Sequence, residues 1–190
     1  MSLETWTAER VQEFADLSGQ TVKAWIGVEF ALREDVPDAG PHVYHDPAVP
    51  CLQLWGLQAH LADNTRFGIS NYQNDDHFGL HHPQEPDFDA RLQNPDWWRE
   101  PFQGTRWREL PELPTGRIEE ATVLGDEGMV AEVHLLIGGR PLWLIAGELE
   151  ETWEGTLEFH RLDESVLAFT DPADVERISW RPPRAGLATI

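Results

Sequence analysis

Between Arg117 and Trp180 the chain repeats one pattern: a run of β-branched, aromatic or leucine residues, then a gap of Gly, Asp or Glu. Arg117–Leu124 ends at Gly125, Met129–Ile137 ends at Gly138–Gly139, and Arg140–Ala146 ends at Gly147. Thr156–His160 and Val166–Thr170 follow, separated by Arg161–Ser165. The Gly138–Gly139 pair predicts a hairpin, because the favoured two-residue turns need positive φ, which glycine adopts without a Cβ clash. Val130, Glu132 and His134 alternate with Ala131, Val133 and Leu135, which predicts one buried and one wet face. Asp171–Pro172 reads as an N-cap followed by proline in the first helical turn, opening a short helix to about Arg177, ahead of Ile178–Trp180. The whole stretch is expected to be an antiparallel meander.

Upstream, Thr7–Leu17 places Val11, Phe14, Ala15 and Leu17 on one helical stripe, and Gly19 stands where a helix would stop. Gln20–Arg33 has a period of two: Val22, Ala24, Ile26, Val28, Phe30 and Leu32 on a core face, and Lys23, Trp25, Gly27, Glu29 and Arg33 on the other. On that reading Glu29 is an exposed strand carboxylate. Residues 34–50 carry too much Pro, Gly and Asp for a regular element. Cys51–Leu61 and Thr65–Tyr72 then read as a second hairpin across Ala62–Asn64. His60–Leu61 and Arg66 echo His134–Leu135 and Arg140 at one offset, which hints at a duplicated β-unit. Gln73–Pro114 is dense in Asn, Asp, His, Pro and Trp, and is expected to be a long ordered excursion pinned by its own aromatics. The expected fold is therefore α+β in a single domain spanning residues 1–190. It has two antiparallel β-meanders forming one sheet or half-barrel, with a helix and first meander in 7–72, a Trp-rich loop excursion in 73–116 and a second meander in 117–180.

Composition narrows the function. The formal charge is −20, with one lysine, Lys23, among 14 basic residues. Such a chain repels anionic membrane and nucleic acid, so neither is expected as a direct partner, and it favours a basic partner or a cation. No apolar run approaches the ~20 residues of a membrane span. The N-terminus lacks the basic and apolar regions of a signal peptide, and the single cysteine, Cys51, cannot form an intrachain disulfide. A cytoplasmic address is expected.

Four kinds of chemistry are conceivable for these residues. His42, His45 and Asp46 lie in one loop, and Asp75–His77 with His81–His82 in another. Imidazole and carboxylate are metal ligands, so His42, His45, His77 and His81 are candidate ligands of a metal-dependent hydrolase. No helical His-Glu-x-x-His supports them, and most of these histidines are expected to be ordinary loop residues. There is no Gly-x-Ser-x-Gly elbow and no glycine-rich phosphate loop, and Cys51 reads as a small buried hydrophobe. Trp97, Trp98, Trp107 and Trp153 beside Glu148, Glu150, Glu151 and Glu154 resemble a sugar site with two acids, though a charged turn explains those glutamates more simply. The fourth reading is a docking surface: Asp87, Asp89 and Asp96 would steer a basic protein, and Trp97, Trp98 and Trp107 would anchor it. The sequence is accordingly read as a non-catalytic acidic binding or inhibitory protein without a cofactor. A toxin nuclease neutralised in the manner of immunity proteins is one possible partner. The hydrolase is the alternative, and oligomeric state is not legible.

Overall fold

In the computed structural model the described residues are 3–33, 42–75, 77–83, 94 and 104–190. The fold is α+β and mostly sheet. Helix α1 (Leu3–Ala15) leads into strands β1 (Thr21–Phe30), β2 (Cys51–Leu61), β3 (Arg66–Asn74), β4 (His77–His81) and β5 (Thr105–Glu109). Then come β6 (Gly116–Asp126), β7 (Met129–Ile137), β8 (Arg140–Glu151), β9 (Leu157–Phe169), α2 (Pro172–Arg177), β10 (Trp180–Arg181) and β11 (Ala188–Thr189). No helix among the described residues is long and apolar enough to cross a membrane.

Of the two forms expected for the pair of meanders, one sheet or a half-barrel, the structure has one large sheet, and that sheet is mixed, not a simple pair of meanders. Its order is β10-β9-β8-β7-β6-β1-β2-β3-β4, with β5 on β1 and β11 on β6, and the β10–β9 pairing is parallel. The reason is the length of β9. Its Val166–Phe169 half pairs with β8 on one side and with Cys51–Leu54 of β2 on the other. Pairings therefore run in an unbroken circuit through β1, β2, β9, β8, β7 and β6. β9 accommodates two partners by bulging: Ala146 faces Val166 while Gly147 faces Arg161, and Leu162 takes φ +56°. Gly147 is needed there, because a Cβ would stand 2.4 Å from the His160 carbonyl oxygen.

A second bulge corrects the predicted core face of β1. Val22 pairs with Leu61 but Ala24 pairs with His60, so the strand turns over by one residue at Lys23. Val22 and Trp25 then share the main core, Trp25 being 2 % exposed with its indole N–H donating to the Pro114 carbonyl at 2.8 Å. Ile26 and Val28 instead form a small cluster on the opposite face with Trp55 and Trp107. Phe14 and Leu17 bring α1 onto the main core, and Gly19 stops the chain after it at φ +87°. The second helix forms as its signature requires: Asp171 caps it by accepting from the Ala173 N–H, with Pro172 in the first turn. Val175, Trp180, Phe169 and Ile145 make a separate cluster beneath it.

Residues 73–116 contain regular structure where a loop was expected. The end of β3, then β4 and β5, all fall inside them, and β5 adds to β1 from Ile26 to Phe30. The duplication hint finds no matching register. His60 pairs directly with Arg66, whereas His134 pairs with Trp143 and Arg140 with Ile137.

Candidate binding surface

The histidines proposed as metal ligands are dispersed. His42 accepts from the Gly104 N–H through Nε2 at 3.3 Å, and its ring meets Tyr44 edge-on. His45 is exposed beside Asp46. His77 pairs with Glu127 at 2.7 Å, far along the sheet from either. His81 lies against Tyr72 and Trp6, where burial and the nearby Arg10 charge push its pKa down to about 4. Among the described residues no group of three or more His, Cys, Asp or Glu side chains could hold a metal ion. Cys51 begins β2, and its thiol is pushed well up by burial and by the charge of Asp174.

Of the proposed docking residues, Asp87, Asp89, Asp96, Trp97 and Trp98 lie outside the described residues. Trp107 sits on β5 directly opposite Val28, half-buried, and packs against the Ile26–Val28 cluster.

Two carboxylates expected on wet faces are buried. Glu29 is 2 % exposed and accepts from Arg106 Nε and Arg108 Nε, each at 2.7 Å. Arg108 also forks onto Glu112, and Arg106 lies 4.1 Å over the Tyr44 ring. Burial alone would lower the Arg108 pKa, but the Glu112 and Glu29 hydrogen bonds more than reverse it. Glu132 is fully buried; Arg184 clamps both its oxygens at 2.8 and 2.9 Å, and His134 Nε2 reaches it at 2.7 Å. His134 stacks on Trp143 at 3.7 Å between centroids. Burial raises the Glu132 pKa, yet the His134 and Arg184 hydrogen bonds bring it below the ordinary carboxylate value. These are structural clamps: every polar end of each carboxylate is occupied by a cation. The Arg106-Trp107-Arg108 alternation was the available signal for the first. Two arginines at i, i+2 around an apolar residue place both cations on one strand face.

The β8–β9 hairpin gathers several acidic residues around an exposed turn. Glu148 faces His160, Glu150 faces Glu158 and Glu151 faces Leu157 along its ladder. The turn closes through Thr152 N–H to Thr156 O and Gly155 N–H to Thr152 O, both 2.8 Å. Trp153 projects from that turn and is 92 % exposed. Like charges directly opposite across strands destabilise a sheet, so the Glu150–Glu158 pair contributes nothing to folding by itself. His160 approaches both at 3.5 and 3.8 Å, and Arg181 bonds Glu158 at 2.8 Å. A cleft of about 500 Å³ opens beside the hairpin, lined by Glu148, Glu150, Glu151 and Glu164 over Phe30, Leu32 and Leu149. Arg33, from the chain just after β1, binds its rim. It pairs with Glu151, donates to the Gly155 carbonyl at 3.1 Å and reaches Asp46 at 3.5 Å. This end of the sheet thus already holds one guanidinium by a carboxylate and a turn carbonyl.

Comparison with family models, curated proteins and solved structures finds no match to the chain.

Proposed function

We propose that the protein is a non-catalytic binding protein that captures a basic protein partner and inhibits it by occlusion, with the β8–β9 hairpin and its cleft as the docking surface. The observation that carries this reading is Trp153, 92 % exposed on the turn of a hairpin whose ladder residues include Glu148, Glu150, Glu151 and Glu158. A large aromatic surrounded by carboxylates pairs an anchor with a steering field. Aromatic anchors dominate interface energetics, and complementary charge raises the association rate. The net charge of −20 extends that field over the whole molecule. Asp87, Asp89, Asp96, Trp97 and Trp98 belong to the same proposal on sequence grounds, since their stretch leads into Gly104, which lines the cleft. A toxin nuclease is one partner of the required charge.

The test compares capture from source lysate by wild type, by Trp153→Ala, and by a variant with Glu148, Glu150, Glu151 and Glu164 changed to Gln. A basic protein retained by the wild type should dissociate faster from Trp153→Ala, by the ~2 kcal/mol typical of a buried anchor. The Gln variant should associate more slowly, and added salt should reproduce that loss for the wild type. Equal retention of the same proteins by all three would overturn the assignment.

A further inference from the structure

Away from the hairpin, a cavity of about 730 Å³ lies along one face of α1. Glu4, Thr7, Ala8 and Val11 share that face, as their i, i+3, i+4, i+7 spacing requires. The turn joining β6 to β7 forms the second wall, ending at Met129, and the stretch around Gly186 and Ile190 forms the third. The third wall is seated closely. A Cβ at Gly125 would come within 2.7 Å of Ile190 Cδ1, and one at Gly186 within 2.5 Å of Asp126 Oδ1. Thr7 turns its hydroxyl out of play by donating to the Gly128 carbonyl at 3.0 Å. The surface left to a ligand is therefore apolar, and its volume falls in the ~300–1,000 Å³ range of small-molecule sites.

The charge of the rim selects the ligand. Glu4, Asp126 and Glu127 line the cavity, and no Lys, Arg or His among the described residues does. Asp126 is neutralised by buried Arg161 at 2.9 Å, which leaves Glu4, and Glu127 shared with His77 at 2.7 Å, to face an occupant. An anionic amphiphile would meet two carboxylates inside the field of a −20 protein. A cationic one would meet charge complementarity at its head and Ala8, Val11, Met129 and Ile190 along its body. We propose that this cavity binds a small amphiphile with an apolar body and a single cationic head, of the alkylamine class.

Isothermal titration of the full chain with octylammonium, octanoate and ethylammonium tests this. Octylammonium should saturate at one equivalent, at least about tenfold tighter than octanoate and on the order of 1,000-fold tighter than ethylammonium, which lacks six of its methylenes. Ala8 lines the cavity from an exposed helical position, so Ala8→Leu and Ala8→Trp should fold normally and lose octylammonium in graded fashion. Glu4→Gln with Glu127→Gln should weaken octylammonium severalfold and narrow its advantage over octanoate. The site is refuted by octylammonium that does not saturate, by octanoate binding equally well, or by ethylammonium binding as tightly as octylammonium. Undiminished binding to a well-folded Ala8→Trp would refute it too.

Discussion

His81 shows what burial does to a titrating residue on this sheet. Its pKa falls to about 4 from an ordinary 6.5, chiefly by burial against its neighbours and then by the Arg10 charge. In the unfolded chain the imidazole takes its proton first as pH drops. The stability of the neutral buried form is therefore complete above about 6.5 and is lost as pH falls from 6.5 toward 4. His81→Phe keeps a ring against Tyr72 and Trp6 and removes the titration. Urea unfolding at pH 7 and at pH 4.5 should show wild type losing more stability than the variant over that interval; parallel losses would mean His81 is solvated. At this scale the sequence was legible wherever partners are close in the chain. Asp171 and Pro172 cap α2 from within one turn. Glu29 and Glu132 were misread because the arginines that hold them lie 77 and 52 residues away, and period-two alternation records only which side a residue faces. It does not record whether another strand or tail covers that side.

β5 is the element that most changes the reading of the aromatic-rich segment. Trp107 lies against Ile26 and Val28 from a strand bonded along β1, so part of its ring is core. Trp153 has no such neighbours at 92 % exposure. In the free protein Trp107→Ala should cost about 2 kcal/mol, somewhat below the loss for a fully buried Trp, which corresponds to about 4–8 °C in melting temperature for a chain of this size. Trp153→Ala should leave the melting temperature nearly unchanged. Calorimetry on the two variants decides; equal shifts would mean that their contrasting environments carry no energetic difference. Strands bounded by glycine turns and filled with apolar residues could be read directly: Cys51–Leu61 and Met129–Ile137 have the same limits in sequence and structure. β4 and β5, five residues each, could not. Thr-Arg-Trp-Arg-Glu has little intrinsic reason to extend, and β5 forms because β1 offers an open edge to it.

For the whole molecule the charge is the largest lever. At −20, carboxylates repel one another across the surface, and the arginine clamps on Glu29 and Glu132 relieve few of them. Raising sodium chloride from about 20 mM to 500 mM shortens the screening length from roughly 20 Å to below 5 Å, so the melting temperature of the free protein should rise by a few degrees. A flat or falling value would show that the charges are already balanced locally. Connectivity at this scale was not legible, because no local pattern announces that β9 serves two strands. That shared strand has a temporal consequence. Cys51–Leu54 is joined to Val166–Phe169, more than a hundred residues later, so the circuit of pairings closes only once β9 has been made. Contacts of such long sequence separation form slowly. Until then a nascent chain presents β2 and β8 with bare backbone edges, which are templates for pairing with other chains. Self-repulsion among so many carboxylates keeps those half-made molecules apart, so the acidity also protects the protein while it is being built.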